Sequence, residues 1–274
     1  MQPEALPEAI RPQWTPAPPP GVGALMSTRQ GGVSRPPFDS LNLRPAALGG
    51  ESTDDAEAVA ENQRRFAAAL GARPVWLRQV HGRGVVRLDA GLACPGAELP
   101  VADAAISTEP GIACTVMVAD CLPVLLASRC GRVVGAAHAG WRGLSGGVLE
   151  ATLAAMTETA DVRPAELQAW LGPCIGPQAF EVGPEVLQAF GVVPTGADSR
   201  FFRYTPRPDG SPRWHADLAG LARLRLQAGG LAAEAIAGND GGAGWCTVGE
   251  ASRFFSFRRQ PVSGRLAAAI ARIG

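Results

Sequence analysis

The stretch ADAAISTEPGIACTVMVADCLPVLLA, residues 102–127, decides the fold. It holds two apolar runs, Ile112–Val118 and Leu122–Leu126, each bounded by turn-forming or polar residues. Runs this short and this rich in β-forming residues read as strands rather than helices. The break between them falls at Ala119-Asp120-Cys121, with Pro123 just beyond, so Cys121 is expected at a strand end or bend.

Working outward, GRVVGAAHAGW (131–141) reads as a glycine-started strand that carries His138 near its C-terminal end. SGGVLEATLAAMTET (145–159) follows as a helix. Upstream, VWLRQVHG (75–82) predicts a strand delivering His81 at its end, and VVRLD (85–89) another strand. Residues 54–70 predict a helix with acidic residues at its start and Gly71 after its end. Further strands are expected in GALMSTR (23–29) and LQAWLGPCIG (167–176), and helices in PEVLQAF (184–190) and ADLAGLARLRLQAGG (216–230). Residues 193–215 look like a polar loop, and 252–273 like strand, turn, strand. With no repeat and no interdomain linker, the pattern predicts one α/β domain with a mixed sheet, spanning residues 21–274. Residues 1–20, rich in proline, predict an extended arm, weakly ordered at its start.

A chain of 274 residues buries a substantial core without staples. Its 25 basic and 25 acidic residues balance, which argues for neither a nucleic-acid nor a membrane partner. No stretch approaches the roughly 20 apolar residues that cross a bilayer, and the acidic, proline-containing N-terminus is unlike a secretory leader. Six scattered cysteines fit a reduced, cytoplasmic protein. Cys114, Cys130 and Cys246 are expected as small core residues.

The chemistry concentrates in three motifs: the glycine-flanked RQVHG with His81 and AHAGWRG with His138, and ADCLPVLL with Cys121. One thiol and two imidazoles suit a zinc or copper ion, and three protein ligands with an open fourth position are the pattern of a catalytic zinc. The same residues also suit a Cys/His nucleophile pair. No CxxC or HExxH forces the ligands together, so a buried thiol and ordinary histidines are the plainer alternative. Asp120 either orients a ligand and moves a proton or simply caps a turn. Arg142 either holds an anion or packs in solvent on Trp141. The GGVS loop after Arg29 either cradles phosphate or simply turns. Cys174 and His215 read as structural.

Together the motifs resemble the YfiH-type family, also labelled laccase-domain or polyphenol oxidase. The resemblance runs from about Trp14 to the end, through STRQGGVS with PFDSLNL, RQVHG, ADAAISTEPG, ADCLPVLL, AHAGWRG, LGPCIGP with FEVG, and FFSFRR with GRLAAAI, in that order. It implies a layered α/β sandwich similar to the cytotoxic-necrotizing-factor deamidases. It also implies one metal, typically zinc, on His81, Cys121 and His138. The implied activity is phosphorolysis of purine nucleosides (adenosine, inosine, guanosine, methylthioadenosine) with adenosine deaminase activity. Zinc's lowering of the pKa of water toward about 7 suits attack at the purine C6, with Asp120 as proton carrier. Arg29, Ser34 and Arg142 are the candidates for positioning phosphate against the ribose C1′. A monomer or weak homodimer is implied. The alternatives are a Cys121/His138 amidase or hydrolase acting on peptidoglycan precursors, and a copper-dependent polyphenol oxidase. Three histidines cannot furnish a trinuclear copper cluster plus a blue-copper site. The chain departs from the family in SLNLRPAALGGESTDD (40–55), where a glycine after SLNL and a histidine-containing segment are usual.

Overall fold

The computed structural model describes residue 6 and residues 8–50, 53–94 and 96–273. The expected weak order at the start of the arm falls on residues 1–5, outside the described residues. In chain order the elements are β1 (Val22–Met26), α1 (Ala56–Leu70), β2 (Arg73–Val75), β3 (Val85–Arg87), β4 (Ala104–Ser107), β5 (Ile112–Val118), β6 (Leu122–Ser128), β7 (Val134–Ala139), α2 (Trp141–Gly146) and α3 (Val148–Ala160). There follow β8 (Leu167–Leu171), β9 (Glu181–Val182), α4 (Pro184–Ala189), β10 (Phe202–Tyr204), β11 (Trp214–Ala216), α5 (Leu218–Ala228), β12 (Ile236–Gly238) and β13 (Leu266–Arg272).

The strands form a six-stranded sheet, β12-β8-β6-β7-β4-β3, a four-stranded sheet, β1-β13-β5-β2, and a small sheet, β10-β11-β9. The two larger sheets mix parallel and antiparallel pairs. They pack face to face, and the alternation of side chains along each strand sorts residues between layers. On β6, Leu122, Val124 and Leu126 join a core with Leu149, Leu153 and Met156 of α3 and Leu221 and Leu226 of α5. Leu125 and Ala127 face the other way, into a core shared with Cys114, Val116 and Val118 of β5 and Ala268 and Ile270 of β13. Both faces of β6 are thus covered, which is why it reads as a continuous apolar run. The outer face of the four-stranded sheet, with Ala267, Ala269 and Ala271, is closed by Phe66 and Leu70 of α1. The order of layers is helix, sheet, sheet, helix, the layered α/β sandwich expected. In the arm, Leu6 is buried and Ile10 pairs with Met26.

Local signals act where expected. Asp55 caps α1 by accepting from the Ala58 N–H at 2.8 Å, and Gly71 ends the helix in the left-handed region. The differences have physical causes. The strand expected to carry His81 stops at Val75. Beyond it the Gln79 side chain replaces a rung of the ladder, donating to Met117 O at 2.9 Å and accepting from Met117 N at 2.8 Å. Residues 193–215 are not simply a loop: Phe202 and Trp214 are buried, and the strands around them complete the small sheet. Residues 252–257 form turns rather than a strand. Phe254 and Phe255 bury there, and the Arg259 guanidinium ties the turn to the carbonyls of Thr247, Val248 and Phe254. Cys130 is exposed, not core, because it lies in the β6–β7 turn, whereas Cys114 and Cys246 are buried.

Candidate metal centre and its cleft

The centre sits where three strand ends coincide. In the β4–β7 ladder Ala104 faces Ala137, and in the β6–β7 ladder Pro123 faces His138. The start of β4, the start of β6 and the end of β7 therefore lie together, which brings Asp103, Cys121 and His138 to one sheet end. His81 arrives on the irregular segment after β2, with φ 61°.

The ligand atoms of His81, Cys121 and His138 lie within 4.8 Å of one another. Cys121 Sγ is 3.8 Å from His81 Nε2, and the two imidazole rings meet edge to face at 4.8 Å. His138 is buried and Cys121 partly so. The donor set of one thiolate and two neutral imidazoles fits zinc or copper. The packing leaves space for it: a Cβ on Gly140 would stand 2.9 Å from Cys121 Sγ and 3.2 Å from His81 Cδ2. The glycine of AHAG, which caps the start of α2, is therefore required by the close approach of that helix to the thiol.

A fourth residue, not foreseen from sequence, organises the three. Asp103 is fully buried. Its Oδ1 accepts from His81 N at 2.9 Å and its Oδ2 from Gly82 N at 2.7 Å and Val80 N at 3.1 Å. His138 Nδ1 lies 2.8 Å from Oδ1. An ionised carboxylate only accepts, so Nδ1 carries the proton and Nε2 is left as the ligand atom. Burial pushes the Asp103 carboxyl up, but the His138 hydrogen bond and the backbone donors outweigh it and hold the group below its ordinary value. The three successive N–H groups also account for the left-handed backbone at His81, which wraps the loop around the carboxylate. The available signal was an aspartate opening the otherwise apolar ADAAIS strand.

Cys121 and His138 are electrostatically coupled. Burial pushes the thiol up, but the charge and hydrogen bond of His138, with His81 adding to them, pull it down to about 6. Burial lowers the His138 pKa, yet the Cys121 thiolate and Asp103 together raise it to about 9. Without a metal the pair is thiolate and imidazolium near neutral pH.

A cleft of about 610 Å³ opens over the centre. Its wall includes His81, Cys121 and His138, the aromatic side chains Trp141, Phe180 and Phe257, and the arginines Arg44, Arg78, Arg142, Arg258 and Arg265. Among the described residues, Asp120 is the one carboxylate lining it. Asp120 Oδ1 accepts from Thr247 Oγ1 at 2.6 Å and Oδ2 from Arg258 N at 2.7 Å. Both oxygens are thus engaged in the turn before β6, where the residue stands at φ 108°. Arg142 lines the cleft and stacks on Trp141, with its guanidinium carbon 4.4 Å from the ring centroid.

Arg29 and Ser34 lie outside the cleft wall. Arg29 spends its guanidinium on Asp39 O and Oδ2 and on Ala251 O. The Ser34 hydroxyl donates to Asp54 Oδ2 at 2.6 Å and accepts from Asn62 Nδ2 at 2.8 Å, within an internal network. Cys174 is buried beside Asn239, and His215 contacts Thr205 Oγ1 at 2.7 Å, away from the centre. The segment that departs from the family pattern contributes Arg44 and Leu48 to the wall. Arg44, Arg258 and Arg265 went unremarked as single residues, although the last two lie in the FFSFRR and GRLAAAI motifs.

Comparison with known proteins agrees with this geometry. The family described as multi-copper polyphenol oxidoreductase laccase matches residues 23–273. The chain is 47% identical over 262 residues to a purine nucleoside phosphorylase of Pseudomonas aeruginosa, covering 95% of this chain and 97% of the relative. It is 46% identical over 263 residues to the purine nucleoside phosphorylase YfiH of Escherichia coli, with the same coverage. Among solved structures it is similar to a Neisseria meningitidis protein (TM-score 0.80, 42% identity, 97% of this chain and 99% of that one) and to YlmD from Geobacillus stearothermophilus (TM-score 0.79, 30% identity, 93% of each). The single His-Cys-His group among the described residues, with the third histidine bonded elsewhere, is not the histidine-rich ligand set of a multicopper centre. In sequence and in fold, this chain belongs to the YfiH-type family.

Proposed function

We propose that the protein is a zinc-dependent purine nucleoside phosphorylase acting on adenosine, inosine, guanosine and methylthioadenosine, with adenosine deaminase activity. The observation that carries the reading is the His81–Cys121–His138 group at a cationic, aromatic-walled cleft, in a chain so close to relatives that bear that name. Zinc, held by these three residues, would supply a Lewis acid at the cleft. The protein's own residues do the rest. Asp103 keeps the His138 Nδ1 proton in place and the Nε2 lone pair available. Trp141, Phe180 and Phe257 offer faces for a purine. In phosphorolysis the C1′–N9 bond breaks as a phosphate oxygen bonds C1′, and the base leaves with a proton on the ring. An anion held by the cleft arginines, Arg142 among them, favours the cationic ribosyl character of that transition state. Residues 21–274 make up the catalytic domain, with 1–20 as an arm, in a cytoplasmic monomer or weak homodimer whose partners are nucleoside and phosphate.

A second reading draws on the Cys121/His138 ion pair, which is what a cysteine amidase or hydrolase uses to activate its nucleophile. One assay separates the two. With inosine, phosphate and metal-loaded protein, ribose 1-phosphate and hypoxanthine should form, and a chelator should abolish the reaction. No ribose 1-phosphate from fully loaded protein overturns the phosphorylase reading.

A further inference from the structure

The geometry points to Arg44 and Arg265 as a phosphate clamp, a subsite for a tetrahedral phosphate oxyanion on the cleft wall beside the His-Cys-His group. This deepens the phosphorylase reading and rests on it only for which phosphate-bearing molecule is bound.

The two arginines are built as a pair. Asn42 Oδ1 accepts from Arg44 N at 3.1 Å and from Arg265 N at 2.9 Å, so one side-chain carbonyl joins both backbones. Leu43 N donates to Arg265 O at 3.1 Å and completes the link. Asn42 is itself buried and fixed, donating to Asp54 Oδ2 at 3.0 Å and accepting through its backbone carbonyl from Asn62 Nδ2 at 3.0 Å.

The guanidinium groups are steadied but not neutralised. Arg44 Nη2 donates to Gly49 O at 2.6 Å, and Arg265 Nη1 to Ser263 O at 2.9 Å and Gly264 O at 3.0 Å. Backbone carbonyls fix direction and supply no charge. Among the described residues, neither arginine forms an ion pair with a carboxylate. Arg44 Nε and Nη1 and Arg265 Nε and Nη2 make no hydrogen bond to another described residue. The structural arginines of this fold differ. Arg29 commits all three guanidinium nitrogens to carbonyls and Asp39, and Arg223 commits all three to the carbonyls of Ile236, Gly238 and Asn239.

Two like charges held near each other and partly out of water are unfavourable until an anion arrives. Burial lowers the Arg265 pKa first, and the Arg44 charge lowers it further, while Asp120 and Cys121 oppose. Arg265 therefore lies within electrostatic reach of the thiol at the metal centre, and Arg44 lines the same cleft. Unused N–H groups on two planar forks match the several oxygens of a phosphate, which Arg binds in bidentate fashion.

The phosphate comes either as free inorganic phosphate or as the ester of a phosphorylated nucleoside. Calorimetric titration of the full chain with inorganic phosphate and with inosine 5′-monophosphate distinguishes them. Arg44→Gln should weaken binding of one of the two by about tenfold or more, the loss of a charge-assisted hydrogen bond. Arg265→Lys, which keeps the charge but not the fork, should weaken the same ligand. Bound metal, read by elemental analysis, should stay at the wild-type level in both. If inorganic phosphate is the ligand, KM for phosphate rises in Arg44→Gln while KM for inosine stays within about twofold. If the ester is the ligand, the monophosphate alone loses affinity. The clamp is overturned if wild type binds neither, or if both variants bind both as wild type does. Phosphate binding that is lost in the variants, without phosphorolysis by the wild type, would sink the enzyme reading and leave the clamp standing.

Discussion

Asp103 and His138 are joined twice: His138 N donates to Asp103 O at 2.7 Å, and His138 Nδ1 sits 2.8 Å from Asp103 Oδ1. Backbone ladder and side chain thus fix the same imidazole. Asp103→Asn keeps the size but removes the charge and one pure acceptor, leaving an amide against the three N–H donors of the His81 loop. Zinc affinity is expected to fall roughly 10- to 100-fold, measured by competition with a chromophoric chelator. An unchanged affinity would show that the carboxylate does not orient the ligand.

Gly140→Ala places a methyl 2.9 Å from Cys121 Sγ, closer than a Cβ tolerates. The thiol and the His81 ring must give way, so metal content and turnover should drop together while the circular dichroism spectrum stays that of wild type. Cys121→Ala should likewise lose both metal and activity. Full metal occupancy in Cys121→Ala would remove the thiol from the ligand set.

The pH dependence of metal loading follows from the coupled pair. Between about 6 and about 9 the metal-free pair carries one proton, on His138, which an ion must displace. That proton contributes a tenfold rise in affinity per pH unit across this window. Above about 9 the contribution vanishes, and below about 6 the thiol adds a second proton and steepens the loss. Affinity therefore falls as pH falls. Titrations at a series of pH values test this, and a flat profile between pH 6 and 9 would contradict it.

Phe66 is fully buried where α1 closes the four-stranded sheet. Phe66→Ala is expected to lower the unfolding free energy by about 3–5 kcal/mol, read from denaturant midpoints. A loss under about 1 kcal/mol would mean that this layer collapses onto the cavity.

Much of the layered fold is legible in short apolar runs. β5, β6 and β7 fall where composition places them because burial on both faces demands unbroken hydrophobic sequence. His81, Cys121 and His138, which the fold brings to one sheet end, were legible as well: the histidines lie in glycine-flanked motifs and the cysteine at the break between two apolar runs. What stayed hidden depends on pairings distant in sequence. Asp103 meets the His81 loop through backbone N–H groups, which carry no residue signature. Gln79 ends a strand by bonding Met117, 38 positions away. Arg29, expected to position phosphate, meets the Ala251 carbonyl, 222 positions away, only through the fold. Arg44 and Arg265 are 221 positions apart (265 − 44) and become neighbours only through Asn42.

The grip of Val80, His81 and Gly82 on the buried aspartate has an entropic side. A loop that would otherwise have to be immobilised when the ion arrives is already still, since its amides are spent on a partner inside the protein. Capture of the cation then costs little loss of freedom, and tightness is set by donor chemistry and proton competition rather than by a folding step. The empty and loaded forms should share one shape, and amide exchange at residues 80–82 should be slow in both.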